Sequence, residues 1–406
     1  FKPDGSGLEL EFGTNQTGVA SNIFAGHTIN NNNIRMCFNT DPNIIVAAVD
    51  TSGNLLVTCL DITTGDPVPD FNSGSVLVIP ISGVTSGVSL TNLTGVSDGT
   101  IMATFWNNAA NDTMYQARIL ANGASLDTNF NSQGSQPGIL PIRIGSKNKN
   151  RTMNASLILS TAGVNQGNII MAGYESVTTS DSTPMVMRAY GALGTTQMPS
   201  FPYEDLTTPG TFAIGYSLSP LLGTGAAKCI YVYQSGSPYQ GKMLVGCDNG
   251  TTSKIARINI SNKNLDTTFG TSGIYTFSGS LTGINSISVD ASSNVLVSGV
   301  TTGGSPAPWA QVLSPAASTA TAINLPGSVT VVSQILQQKS GRYIVAAKTS
   351  SGGLILAYQD KLISPATSFA LDPTFNPLAV GGATSGTYIV GTTGVYSIAI
   401  NTDDTI

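Results

Sequence analysis

The chain has 406 residues, of which only 10% are charged, and its formal net charge is -5 at pH 7. An average soluble protein carries roughly 25% charged residues, so this chain must cover its surface with neutral polar side chains, mainly Ser, Thr, Asn and Gly. The acidic balance offers no basic patch for nucleic acid, and the sequence has no apolar run of about 18 residues that could span a bilayer.

Six short apolar segments predict β-strands. Each is rich in β-branched residues and is bounded by Gly, Asn, Asp or Ser, and the periodicity of the chain is two rather than 3.6. In chain order they are NIIVAAV (43–49), TIMATFW (100–106), NIIMAGY (168–174), KMLVGCD (242–248), NVLVSGV (294–300) and RYIVAAK (342–348). No long segment with helical spacing and a capping box competes with them, so the predicted fold class is all-β.

A second phrase repeats in the same frame as these strands. It reads LDTNFN at 126–131, LDTTFG at 265–270 and LDPTFN at 371–376. Its aromatic position marks the copies, with a degenerate copy near Leu325 and the others at Phe12, Phe71, Phe130, Phe201, Phe269 and Phe375. The strands recur about every 60 residues, which is the spacing of propeller blades.

These marks predict a single β-propeller, most simply of seven blades with four antiparallel strands each. In each unit we predict four strands. The first follows the Phe, the second precedes a turn, the third is the apolar strand after that turn, and the last is a strand such as KIARINI. The predicted blades are 12–70, 71–129, 130–200, 201–268, 269–324, 325–374, and 375–406 completed by 1–11.

The two ends of the chain predict closure of the last blade. FKPDGSGLELEFG supplies the tail of a last strand and a Leu-x-x-x-Phe phrase, whereas GVYSIAINTDDTI supplies the strand before a turn. Pairing both ends in one blade removes the exposed edges of an open array. We expect residues 1–11 to pack against 384–406. The blade stays incomplete unless the polypeptide extends further or a neighbouring copy adds a strand.

Three stretches resemble the delta-60 repeat of bacterial surface and secreted proteins. They are KIARINISNKNLDTTFGTSGIYTF, YQARILANGASLDTNFN and FKPDGSGLELEFGTNQTG. The repeat has an Arg-bearing strand, a Gly turn and then Leu-Asp-x-x-Phe-Gly. The resemblance covers nearly the whole chain, although PVPDF and QMPSF lack the Leu-Asp pair and the copy near Leu325 lacks the Phe. It implies a β-propeller and carries over no catalytic residue.

The repeated Asp has two interpretations, a copied catalytic carboxylate or a copied turn cap. Carboxylates spaced around a ring point to different blades, and several copies replace the Asp, so we interpret Asp127, Asp266 and Asp372 as caps of Asx-turns. The repeated Phe residues are interpreted as buried anchors between blades.

No catalytic, cofactor or metal site is predicted, and the chain is expected not to be an enzyme. GVSDG (95–99) matches a nucleophile-elbow pattern, but Ser97 precedes a strand rather than a helix and the only histidine is His27. The four cysteines include no Cys-x-x-Cys pair, which excludes a common zinc site. Hairpin turns explain CDNGTT and NTDDTI better than calcium loops do, because neither has alternating ligand spacing.

The cysteines allow a geometric prediction. Folding the segment 229–247 about Pro238 places Cys229 opposite Cys247, so we predict a disulfide between them. Cys37 and Cys59 are expected to lie on either side of Val46, too far apart to bridge, as buried free thiols. A disulfide fits an oxidising, extracellular compartment.

The shortage of charge favours a protein whose faces become interfaces. We therefore expect a non-enzymatic extracellular or cell-surface β-propeller that self-associates in a surface layer, sheath or fibre. The alternative is a secreted or surface lectin or adhesin that binds a glycan or protein through one propeller face, with contacts from SGSPYQG (235–241) and PAPWAQ (306–311). Partners would be copies of the chain, a glycan or a protein, and not nucleic acid.

Overall fold

A computed structural model gives the fold of the chain. The structure describes residues 2–13, 16–17, 19–38, 43–81, 88–96, 98–107, 113–132, 136–143, 150–158, 169–176, 183–189, 214–217, 222, 224–234, 236–262, 264–279, 281–301, 306–359, 368–376, 385–390, 395, 398, 400 and 404–406. These residues divide into two compact units: unit N, Leu10–Thr224, and unit C, Gly225–Ile406 with Phe1–Glu9.

Unit N contains three antiparallel sheets within its described part, each of four strands. The first runs in the order β1 (Ile29–Phe38), β2 (Ile44–Asp50), β3 (Leu55–Leu60) and β4 (Leu77–Ile79). The second runs β5 (Val88–Gly95), β6 (Ile101–Asn107), β7 (Thr113–Ile119) and β8 (Ile139–Arg143). The third contains β9 (Asn150–Ile158), β10 (Ile169–Ser176), β11 (Thr183–Ala189) and β12 (Ile214–Ser217). A short 3₁₀ turn, Asn72–Gly74, precedes β4.

Unit C also has three sheets among its described residues. One contains β13 (Ala226–Val232), β14 (Lys242–Asp248), β15 (Ser253–Asn259) and β16 (Ile274–Thr276). The next contains β17 (Ile284–Val289), β18 (Val295–Val300), β19 (Pro308–Leu313) and β20 (Ala320–Ile323), and β24 (Ser368–Phe369) pairs with β20 in parallel as a fifth strand. The last contains β21 (Val329–Gln337), β22 (Tyr343–Thr349), β23 (Gly353–Tyr358) and β25 (Thr387–Val390).

The apolar segments of the sequence form the second strand of each sheet, and the burial of these strands explains their composition. In β2 the residues from Ile45 to Asp50 are buried on both faces, as expected for a strand enclosed by neighbours. Three of the hydrophobic cores lie between successive sheets of the same unit. One core combines Ile45, Ala47 and Val57 of the first sheet with Ile101 and Phe105 of the second.

The predicted fold class, an all-β propeller, is confirmed, but the prediction of seven blades is wrong. The described residues form five four-stranded sheets and one of five strands. The strand that follows the repeated Phe is the fourth strand of the same sheet, as β16 pairs with β15, and it does not begin the next blade. The blade boundary predicted between residues 268 and 269 therefore falls inside one sheet, between β15 and β16. The copy at Phe12 precedes β1 and has no sheet of its own within the described ranges.

Both ends of the chain lie in unit C and meet at one side chain. Gln338 Nε2 donates to the Pro3 carbonyl at 3.2 Å and to the Asp404 carbonyl at 2.6 Å. Asp404 also accepts the backbone N–H groups of Lys339 and Ser340, at 2.5 and 2.9 Å. The ends thus share an anchor at the turn between β21 and β22, but they add no seventh sheet among the residues described.

The predicted disulfide between Cys229 and Cys247 is wrong. A β-bulge between Ala227 and Cys229 shifts the register of the hairpin, so Cys229 lies opposite Gly246 and Cys247 lies opposite Ala227. The extra residue of a bulge moves the following side chains along the partner strand, and the hairpin centre alone does not reveal it. Cys37 and Cys59 do flank one strand, although their shared partner is Ile45 rather than Val46.

We expect all four cysteines to be alkylated after denaturation without a reductant, because each is present as a thiol. In the native protein the reaction should be slow. Burial raises the pKa of Cys37 to about 12 and also raises the pKa values of Cys229 and Cys247, so little reactive thiolate is present at neutral pH. Mass spectrometry after iodoacetamide treatment in denaturant measures the number of labels. A mass that corresponds to only two labels, with Cys229 and Cys247 unmodified, would contradict the observed register.

Candidate functional site

The repeated Leu-Asp-x-x-Phe phrase forms the same turn in all three complete copies. The carboxylates of Asp127, Asp266 and Asp372 each accept the backbone N–H two residues later, at 3.1, 3.2 and 2.9 Å. The backbone carbonyl of each Asp accepts the N–H of the phrase's own Phe at 3.0 Å. An isolated bridge joins the Leu of each phrase to the third strand of its sheet, as between Ile258 and Leu265. Each Asp therefore caps an Asx-turn between the third and fourth strands.

Each capping carboxylate also forms an ion pair with an Arg or Lys side chain. The spacing of the phrase did not predict this ion pair. Arg257 of β15 is fully buried, and its Nε donates to Asp266 Oδ2 at 2.7 Å. Lys242 Nζ reaches the same oxygen at 2.6 Å. In unit N, Arg118 Nε lies 3.3 Å from Asp127 Oδ2, and the same guanidinium also contacts Asp98.

The third copy uses a cation from a different position. Ala357 of β23 supplies the backbone carbonyl that Arg257 supplies in the second copy, so the equivalent strand position carries no charge. Arg342, the residue before β22, donates from Nε to Asp372 Oδ2 at 2.6 Å. Its Nη2 donates to Thr374 Oγ1 at 3.0 Å. The carboxylate is common to the three complete copies, whereas the cation comes from either of two positions in the sheet.

The residue after the Phe joins the phrase to a turn elsewhere in its own unit. Gly13 N donates to Thr64 O at 2.6 Å, and Asn72 N donates to Asn122 O at 2.8 Å. In unit C, Gly270 N donates to Ala316 O at 2.7 Å, and Asn376 N donates to Asp4 O at 2.6 Å. For the phrases at Phe71 and Phe269 the accepting turn follows the third strand of the next sheet, so the phrase ties successive sheets together.

The aromatic side chains of Phe12, Phe71 and Phe375 pack on that same turn. Phe130, Phe269 and Phe375 are fully buried, Phe71 is buried and Phe12 is half-buried. A Cβ at Gly123 would overlap the ring of Phe71, so only glycine fits where that ring meets the turn. Phe201 lies outside the described residues.

Other residues highlighted by the sequence do not form a catalytic arrangement where the structure describes them. His27 Nδ1 lies 3.5 Å from Asp50 Oδ2, and Ser97 lies outside the described residues. Asp248 caps a hairpin turn by accepting Gly250 N at 2.9 Å. Within the described ranges no group of three or more His, Cys, Asp or Glu side chains could hold a metal ion.

The aromatic residues considered as ligand contacts are engaged internally. Trp309 is buried and donates from Nε1 to Thr282 O at 2.8 Å. Tyr239 is half-buried, and the Arg257 guanidinium lies 4.1 Å from the centre of its ring. The sequence suggested ligand contacts because Pro and Ser residues precede both rings, but Trp309 lies in β19.

The carboxylates of Asp266 and Asp372 are held ionised. Burial alone would raise the pKa of Asp266, but hydrogen bonds from Lys242 and Thr268 outweigh it and bring the pKa well below its usual value. The pKa of Asp372 is likewise lowered, because hydrogen bonds from Thr374 and Arg342 outweigh its burial. A carboxylate saturated with donors is a poor general base or nucleophile, so this geometry suits a structural role.

We expect the free energy of unfolding of unit C to fall as the pH is lowered from about 5 towards 2. The folded pKa values of Asp266 and Asp372 lie below the unfolded value of 3.8, so their contribution is complete above that value and is lost as the pH falls through the folded pKa. Denaturant unfolding at a series of pH values measures the slope. The Asp266→Asn variant should show a shallower decline; an identical decline would contradict the assignment.

The comparisons with known proteins show a fold and no family. No family model matches the chain, and no curated protein matches it. Among solved structures, Sqt1 of Saccharomyces cerevisiae is similar at 11% identity, with a TM-score of 0.50, over 90% of this chain and 75% of that one. A Bacteroides uniformis protein provisionally described as a 6-phosphogluconolactonase is similar at 10% identity, with a TM-score of 0.50, over 88% of this chain and 85% of that one. No helix within the described ranges has the length and apolar character of a membrane-spanning segment.

Proposed function

We propose that this chain is a non-enzymatic, extracellular β-propeller that self-associates as a structural protein in a surface layer, sheath or fibre. The observation that carries the proposal is the use of charge. The repeated carboxylates and their cations serve as caps and locks of turns, as in the pair of Asp266 with the buried Arg257. These pairs withdraw part of the charge from the surface of a chain in which only 10% of the residues are charged. Surfaces depleted in charge favour association.

Of several long stretches without charge, two support an interface. No Asp, Glu, Lys or Arg occurs at 71–97 or at 373–402. Each stretch contains an outer strand with an exposed apolar side chain, Val78 of β4 at 41% and Ile389 of β25 at 42%. Charged residues on edge strands normally prevent pairing between copies, and these two strands lack them.

Sedimentation and negative-stain microscopy of the native protein test this function. We expect ordered polymers that persist at about 1 M salt, because an interface poor in charge is little affected by screening. Protein that stays monomeric at all concentrations and binds a glycan array would overturn the proposal in favour of the lectin alternative. The internal engagement of Trp309 and Tyr239 argues against that alternative.

A further inference from the structure

The N-terminal segment Lys2–Gly7 occupies a site formed by unit C. Asn376 N donates to Asp4 O at 2.6 Å, and Arg342 Nη1 donates to Pro3 O at 2.9 Å. Gly5 is buried against the ring of Phe375. We call Gln338, Arg342, Asp372, Phe375 and Asn376 the turn site.

The same contacts occur once more in unit C, between parts of the chain that are distant from its N-terminus. Arg257 Nη1 donates to Pro315 O at 2.5 Å, as Arg342 does to Pro3 O. Gly270 N donates to Ala316 O at 2.7 Å, as Asn376 N does to Asp4 O. The segment Pro3-Asp4-Gly5 therefore takes the place that Pro315-Ala316-Ala317 takes on the preceding Arg, Asp and Phe.

The local conformation of the segment is that of an inter-strand turn. Gly5 N donates to Lys2 O at 2.9 Å, and Gly123 N donates to Leu120 O at the same distance in the turn of the second sheet. Gly5 and Ala317 both have positive φ, 67° and 51°. The segment Lys2–Gly7, which lies outside the strands, thus has the conformation of the turn that an Arg-Asp-Phe cluster binds elsewhere in the chain.

At the turn site itself the third position favours glycine, whereas the equivalent position in the preceding copy holds Ala317. A Cβ on Gly5 would overlap three atoms of the Phe375 ring, and the positive φ adds strain. Gly7 differs, since a Cβ there would meet nothing within 4 Å. The turn site therefore fits a Pro-x-Gly turn with its Pro carbonyl towards Arg342.

We propose that the turn site is a peptide-binding site for a Pro-x-Gly turn and that copies of the chain exchange their N-terminal segments through it. Only backbone carbonyls and one glycine are recognised, so the same segment of a second copy satisfies every donor of the site. The exchange rests on the proposed self-association, whereas recognition of the turn does not. The exchange of segments supplies an interface between copies that needs no surface charge.

The binding step is tested with the full-length Gly5→Val variant, whose own segment is displaced from the turn site. We expect a fluorescent peptide KPDGSGL to bind this variant saturably, measured by fluorescence anisotropy. The peptide KPDVSGL should not bind. The matched Gly7→Val chain keeps its segment docked and should bind neither peptide. If Gly5→Val does not fold, Gly5→Thr introduces the same overlap with a more polar β-branched side chain. A folded Gly5 variant that ignores KPDGSGL would overturn the turn site.

The exchange step is tested by complementation between two labelled variants. Gly5→Val lacks a competent donor segment, and Arg342→Ala has a weakened acceptor site. Only their mixture can dock the segment of one chain on the site of the other, so energy transfer should rise on mixing well above the level of either variant alone. Peptide binding without complementation would overturn the exchange and leave the turn site standing. Complementation in a protein that never forms polymers would overturn the proposed function alone.

Discussion

Phe269→Ala is expected to lower the free energy of unfolding of unit C by about 3–5 kcal/mol. Phe269 is fully buried, belongs to the core shared by the sheets β13–β16 and β17–β20, and has the Arg257 guanidinium 4.8 Å from the centre of its ring. Truncation removes the apolar contact and leaves a cavity beside a buried cation. Urea denaturation followed by intrinsic fluorescence gives the change.

Ile389→Ala is the matched control for Phe269→Ala, because it truncates a large apolar side chain of the same unit that is 42% exposed. We expect the control to change the free energy of unfolding by less than about 1 kcal/mol. Equal effects of the two truncations would show that Phe269 is not a core residue.

Asp266→Ala is expected to cost about 3–5 kcal/mol, because it leaves Arg257 buried without its carboxylate. Two cations converge on Asp266 Oδ2, at 2.7 Å from Arg257 Nε and 2.6 Å from Lys242 Nζ. The substitution also removes the acceptor for the backbone N–H and hydroxyl of Thr268. Thermal and urea unfolding at neutral pH measure the loss.

Asp248→Ala separates the turn cap from the ion pair. Asp248 accepts Gly250 N at 2.9 Å in an exposed hairpin turn of the same unit, and no ion pair to it is found among the described residues. We expect a loss of about 1 kcal/mol, the size of a single hydrogen bond. A loss as large as that of Asp266→Ala would show that capping, rather than the buried cation, explains the effect.

Local signals in the sequence located the second strands. KMLVGCD was predicted at 242–248 and forms β14, Lys242–Asp248, and NVLVSGV at 294–300 contains β18, Val295–Val300. A run of β-branched residues between turn residues suffices for such a prediction, because both features act within a few positions. The Asp and Phe of the repeated phrase were recognisable for the same reason.

The blade limits and the strand register depend on information that is not local. A turn after the Phe is compatible with a fourth strand of the same sheet or a first strand of the next, and only pairing decides between them. The first strand of the sheet beginning at β13 contains a bulge that moves Cys229 opposite Gly246. Lys242 and Arg342 lie 24 and 30 residues before the carboxylates that they contact, so the phrase gives no indication of them.

The variable origin of the cation has a consequence for how such repeats diverge. Asp266 is reached by both Arg257 and Lys242, whereas Asp372 is reached by Arg342 from the position that corresponds to Lys242. A copy with two cations tolerates the loss of either one, because the carboxylate keeps a partner of opposite charge. Redundancy of this kind lets the three complete copies differ at the cation while they share the aspartate, so a search for related repeats should weight the Phe above the Arg.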